Sequence, residues 1–224
     1  MNPLILVPLV VIAVGLLIRA HGAGNRRQVY LWKPLATLLV IAVAALSLTQ
    51  PGARPLYTAA LLVGLLFSLA GDVALMFDAE KAFLVGLICF LLAQIVYSVT
   101  FITFAGIYTQ QVVIAVVIAT VGVLFYRYLY PALGHMRPPV AGYALVISIM
   151  VLSATGALFS SEFTSLQGWL VTAGAVLFYI SDMILAVNRF SRPLQGYALA
   201  NLSTYYGGQL LIALSAAYFA NVLA

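Results

Sequence analysis

Apolar residues fill this chain in long blocks, broken by proline, glycine and charge. The blocks fall at about 3–19, 34–50, 56–77, 83–104, 111–129, 139–159, 167–187 and 197–221. A hydrocarbon core about 30 Å thick takes about 20 helical residues, with about 17 the short limit, so the pattern predicts eight transmembrane helices. "PGARP" between the second and third blocks predicts a tight turn. The first block, "PLILVPLVVIAVGLLI", has its basic residues after it rather than before, and reads as an uncleaved first span.

Composition strengthens this picture. The 224 residues are 65% hydrophobic and 7% charged, whereas soluble domains are about 45–50% apolar and about 25% charged. The expectation is an all-α membrane protein with a single transmembrane domain over 1–224, a multi-pass protein of the cytoplasmic membrane if its cell is bacterial. Net charge is +5, but the basic residues sit in short loops between apolar blocks, so nucleic acid is not an expected partner. Cys89 has no second cysteine to pair with, which excludes a disulfide framework.

The basic residues also predict an orientation. Arg19, Arg26, Arg27, Lys33, Lys81, Arg127, Arg137, Arg189 and Arg192 border the odd loops, and only Arg54 borders an even one. The positive-inside rule then puts the odd loops in the cytoplasm and both termini outside.

Two aspartates interrupt the apolar blocks: Asp72 in "FSLAGDVALMFD" and Asp182 in "VLFYISDMILAVNRF". They lie 110 residues apart (182 − 72), nearly half the chain, in the third and seventh spans. Gly86 and Gly196 each follow an acid by fourteen residues, and a basic residue plus proline opens both the second and sixth spans, at Lys33 and Arg137. Two parallel four-helix repeats, 1–110 and 111–224, are the expectation from this spacing. Both acids would lie about five residues from the cytoplasmic end, roughly 8 Å deep. A lipid-facing carboxylate costs about 2.5–3.5 kcal/mol or more, so each should face the bundle interior or a water-filled cavity.

Other polar residues gather at compatible depths. Asn201, Tyr205 and Gln209 share one face of the eighth span, and Gln94 and Tyr97 one face of the fourth. Any of these amides and tyrosines can serve simply as a helix-to-helix hydrogen bond. Asn188 and Arg189 end the seventh span, with Arg189 seven residues after Asp182. Lys33, Arg137 and Arg189 at the rim could bind a phosphate, or could be ordinary positive-inside residues.

"YLWKPLATLL", "SLAGDVALMF", "FLVGLICFLLAQIVY", "YISDMILAVNRF" and "YYGGQLLIALS" together resemble the YhhN-type family of lysoplasmalogenases, across nearly the whole chain. The resemblance implies an eight-helix membrane enzyme that hydrolyses the vinyl ether bond of a lysoplasmalogen. Its products are a fatty aldehyde and glycerophospho-ethanolamine or glycerophospho-choline. The family's paired aspartates fall on Asp72 and Asp182. Members often carry His where this chain has Gln94, a departure that leaves the role of that position open.

The chemistry suits the residues. Protonating the β-carbon of a vinyl ether gives an oxocarbenium-like cation that water captures, which calls for a proton donor and a nearby anion. One protonated and one ionised carboxylate supply both, as in glycosidases. The candidate catalytic residues are therefore Asp72 and Asp182, with Lys33, Gln94, Tyr97, Asn188, Arg189, Asn201, Tyr205 and Gln209 as candidate substrate contacts. A lysophospholipid and membrane lipids are the expected partners, and no cofactor or metal is expected. A catalytic zinc would need about three ligands, and His21 and His135 are both loop residues far from either acid in sequence. No Gly-x-Ser-x-Gly elbow supports a serine hydrolase. The reading from another class is a proton-coupled transporter, with the two acids as proton carriers.

Overall fold

The computed structural model describes residues 2–218. Eight long helices follow one another: α1 (Val7–Gly22), α2 (Arg26–Leu46), α3 (Pro55–Ala74), α4 (Glu80–Ala105), α5 (Gln111–Leu129), α6 (Arg137–Thr155), α7 (Ser165–Ala186) and α8 (Tyr197–Ser215). Among the described residues there is no strand. Seven helices, α1 to α7, are long and apolar enough to cross a membrane. α8 is long enough, but Asn201, Ser203, Thr204 and Gln209 make it more polar. The last three residues of the expected eighth span, 219–221, lie outside the described residues.

Local chemistry sets the helix ends. Asn25 caps α2 by accepting from the Gln28 backbone N–H, Pro55 opens α3 at a position whose N–H has no partner to lose, and Thr164 with Gln167 forms a capping box on α7. α4 stops at Gly106, whose φ of 86° suits only a residue without Cβ. Two expectations are corrected. Lys33 and Pro34 do not open the second helix; α2 starts at Arg26 and carries Pro34 inside it, because capped "RRQVYLWK" continues the helix upstream of the apolar block. α3 ends at Ala74, where backbone turns take over through Phe77, rather than running to 77.

The tightest packing joins α3 to α4 and α7 to α8. A Cβ on Gly64 would fall 2.3 Å from Tyr97 Cε1, and one on Gly71 2.7 Å from Phe90 Cε2. Gly174 and Gly208 bring α7 and α8 together almost backbone to backbone; a Cβ on either would meet the other's carbonyl oxygen, at 2.8 and 2.7 Å. Small residues at such seams let membrane helices gain close van der Waals contact without help from water. α5 lies at the periphery with only Gln111 and Leu129 buried.

Polar contacts between loops mark the two ends of the bundle. Arg26 pairs with Asp78 and His135 with Glu80, joining the connections after α1, α3 and α5. Arg54 pairs with Glu162 at 2.8 Å, joining those after α2 and α6. Exposed pairs of this kind contribute only about 0–1 kcal/mol, but they group odd and even loops at opposite ends.

Candidate active site

Asp72 stands two residues before the end of α3 and is buried. Its Oδ2 accepts from Thr37 Oγ1 at 2.6 Å and from Tyr205 OH at 2.8 Å, and its Oδ1 lies 3.5 Å from Lys33 Nζ. Lys33 and Thr37 are one turn apart on α2, so a single helical face presents both to the acid. Tyr206 OH donates to the Lys33 carbonyl at 3.0 Å, tying α8 to the same turn.

Asp182 stands four residues before the end of α7 and is half-buried. Its Oδ2 accepts from Tyr143 OH at 2.5 Å and from Gln94 Nε2 at 3.1 Å. Gln94 Nε2 also lies 2.7 Å from Tyr143 OH, while Gln94 Oε1 is buried with no hydrogen-bond partner. An orphaned buried amide oxygen costs about 1–3 kcal/mol. The same side chain, turned over, would offer that oxygen to a protonated Asp182, so Gln94 can serve either protonation state of its neighbour.

The two carboxylates therefore differ in company. Asp72 has a cation, a hydroxyl and a phenol; Asp182 has a phenol and an amide, both neutral. Their arrangement is otherwise parallel. Lys33 and Tyr143 are themselves 110 residues apart (143 − 33), so each acid is met by the same position of the helix before it. Each is also met by the last helix of the other half of the chain: Asp72 by α8 through Tyr205, and Asp182 by α4 through Gln94.

Both acids line one cavity of about 390 Å³, together with Lys33, Asn188, Arg189, Asn201 and Tyr205. Asn188 and Arg189 reach it from a π turn, Val187–Ser191, that follows α7 directly; such turns are frequent at functional sites. Asn201 Nδ2 donates to the Ser181 carbonyl at 2.7 Å, holding α8 beside Asp182, and the Arg189 guanidinium lies 4.8 Å over the Phe83 ring. Arg26 and Asp78 also line this cavity.

Four candidate contacts lie elsewhere. Gln94 sits behind Asp182 and off the cavity wall. Tyr97 donates to Gln209 Oε1 at 2.9 Å, and Gln209 Nε2 donates to Ser68 at 2.8 Å, a buried chain that joins α4, α8 and α3 away from the cavity. Arg137 stacks on Tyr130 at 4.0 Å and donates to its carbonyl, also off the cavity. Sequence reading missed Thr37 and Tyr143. The 110-residue offset from Lys33 would have found Tyr143, and helical spacing from Lys33 would have found Thr37.

An all-helical membrane-type bundle with two internal aspartates on one polar cavity is the class that the fold and site define. Within it the chain belongs to the YhhN family, whose sequence profile matches residues 28–216. It is 31% identical to lysoplasmalogenase TMEM86A of Bos taurus over 174 residues, 75% of this chain and 68% of that protein. Human lysoplasmalogenase TMEM86A is 33% identical over 69% of this chain and 63% of its own length. Human lysoplasmalogenase TMEM86B is 34% identical over 71% of this chain and 64% of its own length. The aligned part thus spans about two thirds of these relatives. No solved structure matches the chain.

Proposed function

We propose that this protein is a lysoplasmalogenase, hydrolysing the vinyl ether bond of lysoplasmenyl-ethanolamine or lysoplasmenyl-choline to a fatty aldehyde and the glycerophospho-alcohol. The observation that carries this is one cavity shared by the two aspartates of the apolar helices, which keep different company, in a chain similar to proteins named for that activity. One acid protonates the vinyl β-carbon, the cation forms, water adds to the α-carbon, and the hemiacetal collapses. Asp72 and Asp182 are the catalytic pair. Lys33, Arg189, Asn188, Asn201 and Tyr205 contact the polar end of the substrate, Gln94 supports Asp182 from behind, and Tyr97 with Gln209 ties α3, α4 and α8 together.

In this reading all eight helices span the membrane and both termini are outside, which puts the cavity on the cytoplasmic leaflet beside the basic residues. The repeats 1–110 and 111–224 are two copies of one four-helix unit, the last helix of each also reaching the acid of the other; the matched offsets of the acids, of Lys33 and Tyr143, and of Gly64 and Gly174 support this.

The experiment is incubation of purified protein with lysoplasmenyl-choline and, separately, with the ester lysophosphatidylcholine. Aldehyde from the first and no fatty acid from the second is expected, since the one serine on the cavity wall, Ser181, gives its hydroxyl to the Phe178 carbonyl. Absence of aldehyde, with proton-coupled solute uptake in vesicles, would favour a transporter instead.

A further inference from the structure

A second, apolar slot of about 60 Å³ lies between α4, α5, α6 and α7, lined by residues such as Leu87, Phe125, Leu129, Ala144 and Ile147. It shares a wall with the polar cavity: Leu75, Phe83, Phe90, Asp182 and Leu185 line both. Of these five only Asp182 is polar. Asp72 and Lys33 line the polar cavity alone.

We infer that the slot holds the first carbons of the alkenyl chain, that the head group lies in the polar cavity, and that Asp182 donates the proton while Asp72 receives the water's. The inference rests on the vinyl ether reaction proposed above. In a chain–CH=CH–O–glycerol substrate, the β-carbon is on the chain side of the double bond and the ether oxygen on the glycerol side. A lipid lying across the shared wall puts its double bond beside Asp182, with the β-carbon toward the slot and the α-carbon toward the cavity. The slot is a few methylenes long, so the rest of the chain runs out along α5, whose outward face is apolar and exposed at Val113, Val116, Val117 and Leu124.

The proton bookkeeping closes without a co-reactant other than water. The Asp182 carboxyl proton goes to the β-carbon, and the α-carbon becomes an oxocarbenium. Water bonds to the α-carbon and gives a proton to the Asp72 carboxylate, which is already paired with Lys33. When the hemiacetal's bond to the glycerol oxygen breaks, Asp72 returns that proton to the oxygen. The hemiacetal hydroxyl proton passes to Asp182, and both acids are reset.

Two measurements test this. A saturated-ether lysophosphocholine with a diazirine on the third chain carbon, a probe that needs no turnover, should label the segments 122–129 and 140–147. Labelling confined to α1 and α2 would overturn the slot. In kinetics, Ala144→Phe should lower kcat/KM for a long-chain lysoplasmenyl-choline at least tenfold relative to a propenyl analogue. Val11→Phe, on the exposed outer face of α1 and lining neither the cavity nor the slot, should leave that ratio unchanged. An unchanged ratio in Ala144→Phe, or failure of its smaller counterpart Ala144→Val to move the ratio in the same direction, would also overturn it. For the roles, Asp182→Ala should be rescued by acetic acid increasingly as pH falls, and Asp72→Ala by formate increasingly as pH rises; the reverse pattern would exchange the two acids. Wild-type protein that labels in the slot but releases no aldehyde would sink the enzyme reading and leave the binding site standing.

Discussion

Replacing Gly64 with Ala should destabilise the bundle through a residue that never touches the cavity. The new Cβ would lie 2.3 Å from Tyr97 Cε1 and 2.8 Å from Cδ1 and Cζ, where ordinary carbon contacts need about 3.5–4.0 Å. Tyr97 is fully buried and stacked on Phe101 at 6.2 Å, so its ring has no open side to swing into. Overpacking of this kind costs about 1–3 kcal/mol. Moving the ring also breaks its bond to Gln209 Oε1, leaving a buried acceptor unsatisfied at about 1–3 kcal/mol. The gain from Gly to Ala in a helix returns about 1 kcal/mol. The net expectation is a loss of about 1–5 kcal/mol, read as a lower midpoint in SDS titration of detergent-solubilised protein followed by circular dichroism. Gly142→Ala is the control, because nothing lies within 4 Å of its Cβ position; it should be neutral or stabilising by up to about 1 kcal/mol. Tyr97→Leu should absorb part of the Gly64→Ala cost, so the double variant loses less than the two singles together. A Gly64→Ala midpoint equal to or above that of wild type would refute the packing argument.

Lys33→Met removes the cation beside Asp72 and should lower kcat at least about tenfold, more than 1.36 kcal/mol of transition-state free energy, while Lys33→Arg recovers part of it; equal activity in all three would remove Lys33 from the site. Tyr143→Phe deletes the 2.5 Å donor to Asp182 but keeps the ring that lines the apolar slot, so it should lower kcat with little change in KM; a pure KM effect would contradict that placement. Arg189→Gln should raise KM for the phosphate-bearing substrate several-fold with kcat nearly unchanged, the sign of lost uniform binding; an unchanged KM would move the phosphate to Arg26 or Lys33.

Sequence pattern alone identified the eight helices within a few residues, because each apolar block is bounded by proline, glycine or charge. It missed the two extra turns at the start of α2, since Arg26, Arg27 and Gln28 are poor membrane residues yet follow a good cap at Asn25. Asp72 and Asp182 were legible because a carboxylate in hydrocarbon is costly and so stands out. Tyr143 and Thr37 were not, since a tyrosine or threonine in an apolar helix is ordinary and only its neighbour across the bundle gives it a role. The polar face of α8 was read correctly as a face, but periodicity could not tell which members point at the cavity: Asn201 and Tyr205 do, while Gln209, one turn further, closes on Tyr97 and Ser68.

The most direct test of the central claim is aldehyde release from lysoplasmenyl-choline by wild-type protein, Asp72→Asn and Asp182→Asn, each purified in detergent and checked for helical content. Asn keeps the size of each side chain and removes its charge and acidity. Release by wild type and a loss of at least about a hundredfold in each variant, the low end for a general acid or base, are expected. Near-normal release by either folded variant would contradict the two-carboxylate mechanism.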